Sequence, residues 1–268
     1  MSLRRAALHA LCVALASVLA TACAARGFTP PADPGAPLPL FADVLASVTS
    51  ACSAVQTFTA ELSLVGRVGS ERVRGRVLAG FMRPDAMRLE GVAPLGAPAF
   101  VLASSAGVST LLLPRDNAVL RDSPPEQVLE ALTGVSLRPA DLQAVLTGCV
   151  TANPRASNGR LHANGWASIT TDTGATLYLQ RESDTWRLRA ARREQWLIDY
   201  SAWQGRFPAE VRLRSESARV AVDLSAMISQ LEANIDINSS AFSVVVPPSA
   251  ASISLDELRR SGPLRGQS

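Results

Sequence analysis

From Thr57 the chain alternates: Phe58, Ala60, Leu62 and Leu64 are apolar, and Thr57, Thr59, Glu61 and Ser63 between them are polar or small. A period of two puts one set on a buried face and the other in solvent, which predicts a half-buried strand. Gly69-Ser70 turns the chain, and Val73, Gly75, Val77, Ala79 and Phe81 then alternate with Arg72, Arg74 and Arg76. The two segments read as an antiparallel hairpin. Short strands follow at 87–91, 100–103, 108–113 and 118–121, separated by Pro, Gly and Asp-Asn signals. After a polar loop holding Asn158-Gly159, a second series runs through Trp166, 177–179, 186–190, 196–200, 211–214, 220–224, 235–237 and 242–246.

Helical spacing appears in four places. Phe41, Val44, Leu45 and Val48 share one face of a helix over 41–52. Ser123 as N-cap, a proline behind it and Glu126 three residues on predict a helix to about Leu132, ended by Gly134. Another begins at Pro139, turns Leu142, Val145 and Leu146 to one side and stops at Gly148. Ser254 and Glu257 form a capping box before a last short helix over 254–260, with a tail at 261–268. The expected fold is therefore mainly β (α+β), a curved antiparallel sheet of about ten or eleven strands with short helices over its concave face. Phe58, Leu62, Leu64, Val73, Val77, Phe81 and Leu89 line that face, with Leu142 and Leu146 on the helix above it. Periodicity does not distinguish a filled core from an apolar ligand cavity there.

The N-terminus carries an address. Arg4 and Arg5 precede a short apolar run that ends Ala20-Thr21-Ala22-Cys23. A basic region, an apolar stretch too short for a stable span and small residues before a cysteine make an export signal over 1–22. The end of the run resembles a bacterial lipobox, in which the cysteine is acylated and becomes the new N-terminus; simple cleavage after Ala22 or Ala25 is the alternative. Each buried acyl CH₂ contributes about 0.8 kcal/mol, so an acylated Cys23 would hold the body to a membrane. Ala24, in place of aspartate, implies the outer membrane, facing the periplasm. Residues 23–39, rich in proline, read as a tether. One domain follows at 40–260.

The remaining chemistry mostly excludes. Removing Arg4 and Arg5 from 26 basic residues that face 23 acidic ones leaves a nearly neutral body, unsuited to nucleic acid. Only His162 remains beyond the signal, without cysteine spacing for zinc and without a Gly-x-Ser-x-Gly turn. No metal, cofactor or catalysis is expected. Cys12 leaves with the signal and Cys23 is the acylation site, so Cys52 and Cys149 are left to pair in an oxidising compartment or to stay buried as free thiols.

The runs Met87-Arg88-Leu89-Glu90, Ala93-Pro94-Leu95-Gly96 and Glu130-Ala131-Leu132-Thr133-Gly134-Val135-Ser136-Leu137, then Leu142, Leu146 and Gly148, resemble the LolB family of outer-membrane lipoprotein receptors, as do 196–200 and Phe207-Pro208. The likeness covers roughly 41–215 and sets 216–260 apart as a C-terminal addition. It implies a half-barrel whose helices are a lid over an apolar cavity for the acyl chains of lipoproteins, taken from a periplasmic LolA-like carrier. It also implies that Pro94, Leu95 and Gly96 form a loop whose leucine enters the membrane. Val145 stands where that family commonly has tryptophan.

Overall fold

The computed structural model describes residues 27–93, 96–215 and 221–261. The first meander contains β2 (Thr57–Val68), β3 (Glu71–Met82), β4 (Ala86–Val92), β5 (Phe100–Ser105), β6 (Val108–Leu113) and β7 (Ala118–Ser123). The second contains β8 (Ala156–Leu161), β9 (Trp166–Thr171), β10 (Thr176–Glu182), β11 (Thr185–Arg193), β12 (Trp196–Gln204), β13 (Phe207–Ser215) and β14 (Val222–Ala233). With two-residue strands β1 (Ala36–Pro37) and β15 (Ala251–Ser252), they form one sheet in the order β1, β8 to β14, β2 to β7, β15. Every pairing is antiparallel except β15 on β7. The ends do not meet, so the sheet is curved and unclosed. Its fifteen strands among the described residues exceed the ten or eleven expected.

The two meanders join through β14 against β2, which places β14 in the middle of the sheet. The segment set apart as an addition therefore supplies a central strand, because β14 has two partners, β13 and β2, to satisfy its backbone groups. Asn158-Gly159 is not a loop but part of β8. A Cβ on Gly159 would lie 2.3 Å from the Phe41 Cβ, so the missing side chain is what lets the strand and the first helix approach.

Among the described residues four α-helices, α1 (Phe41–Ser53), α2 (Pro125–Thr133), α3 (Pro139–Thr147) and α4 (Leu255–Ser261), cover the concave side. Leu45, Val128, Leu132, Val145, Leu146 and Leu258 share a continuous core with Phe58, Val77, Phe81, Ile169, Leu177 and Ile198. Gly148 ends α3 at φ 92°, a left-handed conformation that favours glycine. Ser123 is not the cap of α2. It closes β7 with its hydroxyl donating to Arg121 O, and Pro124 takes the cap position without a side-chain bond.

Both terminal segments cross the outer face, wrap around an edge and send a helix to the concave side. Residues 27–39, expected as a tether, are docked from Gly27 onward. Phe28 packs 5.2 Å from Trp166 and 5.0 Å from Tyr178 between ring centroids, Leu38 is buried, and β1 pairs with β8. At the other terminus the expected strands 235–237 and 242–246 are a strap over β2 to β7. Val244, Val246 and Ala250 cover Val101, Leu112 and Val119 on the outer face, and Arg88 donates to the carbonyls of Ala241 and Ser243 at 2.9 Å. The apolar alternation there is a lining against the sheet, not a partner within it.

Candidate functional site: an apolar cavity under the lid helices

Between the concave sheet and the pair α2–α3 lies a cavity of about 110 Å³. Its floor is Leu62 and Leu64 of β2, Val77 of β3, Leu89 of β4, Val211 and Leu213 of β13, and Leu224 and Ala226 of β14; its roof is Leu129, Leu132, Leu142, Val145 and Leu146. The walls are apolar apart from Thr133. Ala226 stands opposite Leu64 in the β14–β2 register, so a small side chain in the middle of the floor leaves room. Val145 does the same in the roof.

Of the nine lining residues expected from the sequence, Leu62, Leu64, Val77, Leu89, Leu142 and Leu146 meet at this cavity. Phe58, Phe81 and Val73 do not. Phe58 and Phe81 face each other in the β2–β3 register with ring centroids 5.7 Å apart, both fully buried, and fill the core beyond the cavity. Val73 walls a crevice of about 20 Å³ near Val92. No residue of β13 or β14 is expected from the sequence as a cavity wall, although their alternation is visible.

The roof is fastened unevenly. The sulfurs of Cys52 and Cys149 are joined at 2.02 Å, tying α1 to the residue after the Gly148 cap of α3. At the other end of α3, Asp141 is buried, and its Oδ2 accepts from Arg138 at 2.8 Å and from Arg193 of β11 at 3.0 Å. Burial alone would raise the Asp141 pKa, but the two guanidiniums, Arg193 foremost, outweigh it and hold the carboxyl below its ordinary value. Among the described residues no such bridge or ion pair holds α2, which leaves α2, packed on α4, as the less restrained part of the roof.

Two larger hollows have mixed walls. One, of about 690 Å³, lies between the C-terminal strap and the outer face of β2 to β4, beside Glu61, Arg88, Glu90 and Glu232. The other, of about 500 Å³, lies at the N-terminal ends of α2 and α3. Charged groups paired across these spaces suit water better than hydrocarbon.

His162 Nδ1 lies 3.0 Å from Asp33 Oδ1, and its Nε2 lies 2.8 Å from Ser168 Oγ. The order acid, imidazole, hydroxyl matches that of a hydrolase relay. Ser168, however, sits within β9 between Arg160 and Tyr178, so its N–H belongs to the sheet and offers no oxyanion donor. None of the four hollows described takes a wall from either side chain. The contact instead latches the N-terminal segment to the outer face.

Cys23, Pro94 and Leu95 lie outside the described residues. Gly96 is exposed at φ 80°, with open space where a Cβ would stand, in the connection between Val92 and Ala99. No helix among the described residues is long and apolar enough to cross a membrane.

No protein-family model matches the chain, and no curated protein matches it. Among solved structures, a DUF1329 family protein from Desulfovibrio piger superposes with a TM-score of 0.50 over 75% of this chain and 95% of its own, at 13% identity. A LolA superfamily protein from Nitrosomonas europaea gives 0.49 over 75% and 98%, at 9% identity. An outer membrane lipoprotein-sorting protein domain from Vibrio parahaemolyticus gives 0.46 over 74% and 94%, at 10% identity. At such identities the likeness is one of fold: a curved, unclosed antiparallel sheet with a few short helices.

Proposed function

We propose that the chain is a LolB-like lipoprotein of the bacterial outer membrane, anchored through Cys23, that binds acyl chains of lipoproteins under α2–α3 and delivers them to the membrane. The supporting observation is the composition of the cavity: wholly apolar walls with one hydroxyl among them, between a sheet and a short helix pair. A void of about 150 Å³ lined by aliphatic side chains accepts a benzene ring. Acyl tails need several times that volume, so cargo must lift the roof, and the less restrained α2 is the part to move. Transfer then follows relative affinity, since a bilayer buries acyl chains better than a partly open protein does.

The small volume of the cavity favours a second reading, an envelope-interaction lipoprotein of the same fold with a solid core and no transfer role. Native mass spectrometry of protein taken from membranes separates the two. Transfer predicts a retained acylated partner, lost in Ala226→Phe, which fills the floor, and kept in Leu95→Glu, which takes cargo but does not release it to vesicles. Wild-type protein that retains no acylated partner would leave the solid-core reading.

A further inference from the structure

Among the described residues, neither terminal strap covers the outer face at the middle of the sheet, apart from Gly27 and Phe28 at Arg214. Three rows of side chains cross it from β13 to β3. Arg214, Asp223, Arg67 and Arg72 stand in one register row; Arg212, Ser225, Val65 and Arg74 in the next; Glu210, Met227, Ser63 and Arg76 in the third. Six arginines thus face two carboxylates within these rows, with Asp199 of β12 beside them accepting from Arg214 at 2.8 Å. Asp223 is taken by Arg212, and Arg76 is taken by Glu61 from the following row. Among the described residues, Arg67, Arg72 and Arg74 have no carboxylate within ion-pair distance. Apolar side chains lie exposed among them, Val65 at 56% and Met227 at 62%.

Residues 27 and 28 of the N-terminal segment lie at this patch. Gly27 lies against the Arg214 guanidinium, and Arg214 also donates to Phe28 O at 3.3 Å. Arg214 is two strand spacings, about 10 Å, from Arg67. Cys23 is four residues upstream of Gly27, a reach of at most about 14 Å. An acyl anchor at Cys23 would therefore bring a bilayer to this face of the sheet and not to the lid.

We propose that the outer face of β14, β2 and β3 is a docking surface for an anionic membrane, with Arg67, Arg72 and Arg74 on lipid headgroups and Val65 and Met227 at the interface. The proposal rests on the anchor reading for its location, but not on the cavity. The sheet presents these residues side by side on one face, which suits a lipid surface, and guanidiniums without a carboxylate partner are forks for phosphate, Arg67 keeping one N–H on Ser70 O at 2.9 Å.

The test uses the full chain carrying Cys23→Ser, so that no acyl group contributes, in flotation with phosphatidylcholine vesicles containing or lacking about one third phosphatidylglycerol. Wild-type side chains should bind the anionic vesicles and release as salt rises. The triple change Arg67→Gln, Arg72→Gln, Arg74→Gln should weaken partitioning about a hundredfold, roughly fivefold per arginine, with an unchanged melting temperature. Arg115→Gln, Arg121→Gln, Arg155→Gln removes the same charge elsewhere and should leave binding nearly intact. Equal losses in the two triples, equal binding to neutral vesicles, or binding to polyglutamate but not to vesicles would overturn the proposal, the last in favour of an acidic protein partner. A protein that docks on vesicles yet carries no acyl cargo would fail the transfer reading alone.

Discussion

The two terminal segments solve the same problem with different chemistry. An unclosed sheet presents two edges, β7 and β8, whose free backbone groups invite pairing with another chain. Each edge is covered by a two-residue strand, β15 or β1, from a segment that crosses the outer face and ends in a helix on the concave side. The C-terminal strap builds a small separate core of valines, one leucine and one alanine on the outer face. The N-terminal strap, rich in proline, lies on aromatic rings and is latched by Asp33 on His162. One should therefore respond to lost apolar volume and the other to acid. Their helices differ as well: α1 is bonded covalently to the end of α3, whereas α4 is held by its Ser254–Glu257 capping box and by the fully buried Leu258.

The largest effect expected on this contrast comes from the bridge. Cys52 and Cys149 are 97 residues apart, and closing such a loop stabilises by roughly 4 to 5 kcal/mol in the chain-entropy picture. Urea unfolding of oxidised and reduced protein should differ by about that much, with the loss felt first at α1 and the N-terminal strap. Coincident curves, or a mass that does not rise by two hydrogens on reduction, would mean that α1 is held no more firmly than α4.

Next in size is Leu258→Ala. Removing a fully buried leucine from the main core costs about 3 kcal/mol, the transfer loss plus a cavity. Its signature is local as well as global: hydrogen exchange should quicken in α4, β15 and along the β7 edge, while β1 and β8 keep their protection. Exchange that quickens equally at both edges would show that the straps are not independent.

Much of this arrangement can be read from the residue pattern, and the failures share a cause. The period of two assigns Phe58, Leu62, Val73, Val77 and Phe81 to the correct face, because side-chain direction is a local property of a strand. It does not say where along that face space remains. That depends on Ala226 and Leu213 from strands more than a hundred residues away, and so Phe58, Phe81 and Val73 fall outside the cavity. The place of β14 between β13 and β2 is hidden for the same reason, since no local pattern names a non-local partner. Residues 242–246 mislead differently: apolar alternation marks a segment with one buried side, and a strap has one as surely as a strand does. Ser254 and Glu257 form the capping box that their spacing announces, whereas the same spacing at Ser123 and Glu126 does not, because Pro124 takes the cap position.

The smallest expected effect is the one that isolates the latch. Asp33 is exposed to water, and the hydrogen bond from His162 Nδ1–H, with smaller help from the Gly35 N–H, holds its pKa below the ordinary carboxylate value. A carboxyl whose folded pKa is lowered contributes its stabilisation above the ordinary value and loses it as pH falls through the lowered one. Acid below about pH 4 should therefore loosen residues 27–38, seen as faster hydrogen exchange after correction for the intrinsic rate, while residues 238–250, seated on apolar contacts, show no such step. Asp33→Asn should make 27–38 faster at neutral pH and flatten its acid response, with little change in global unfolding, because a single exposed contact carries little of the total. A matching acid step at 238–250, or an unaltered step at 27–38 in the variant, would remove His162 and Asp33 as the reason the two straps differ.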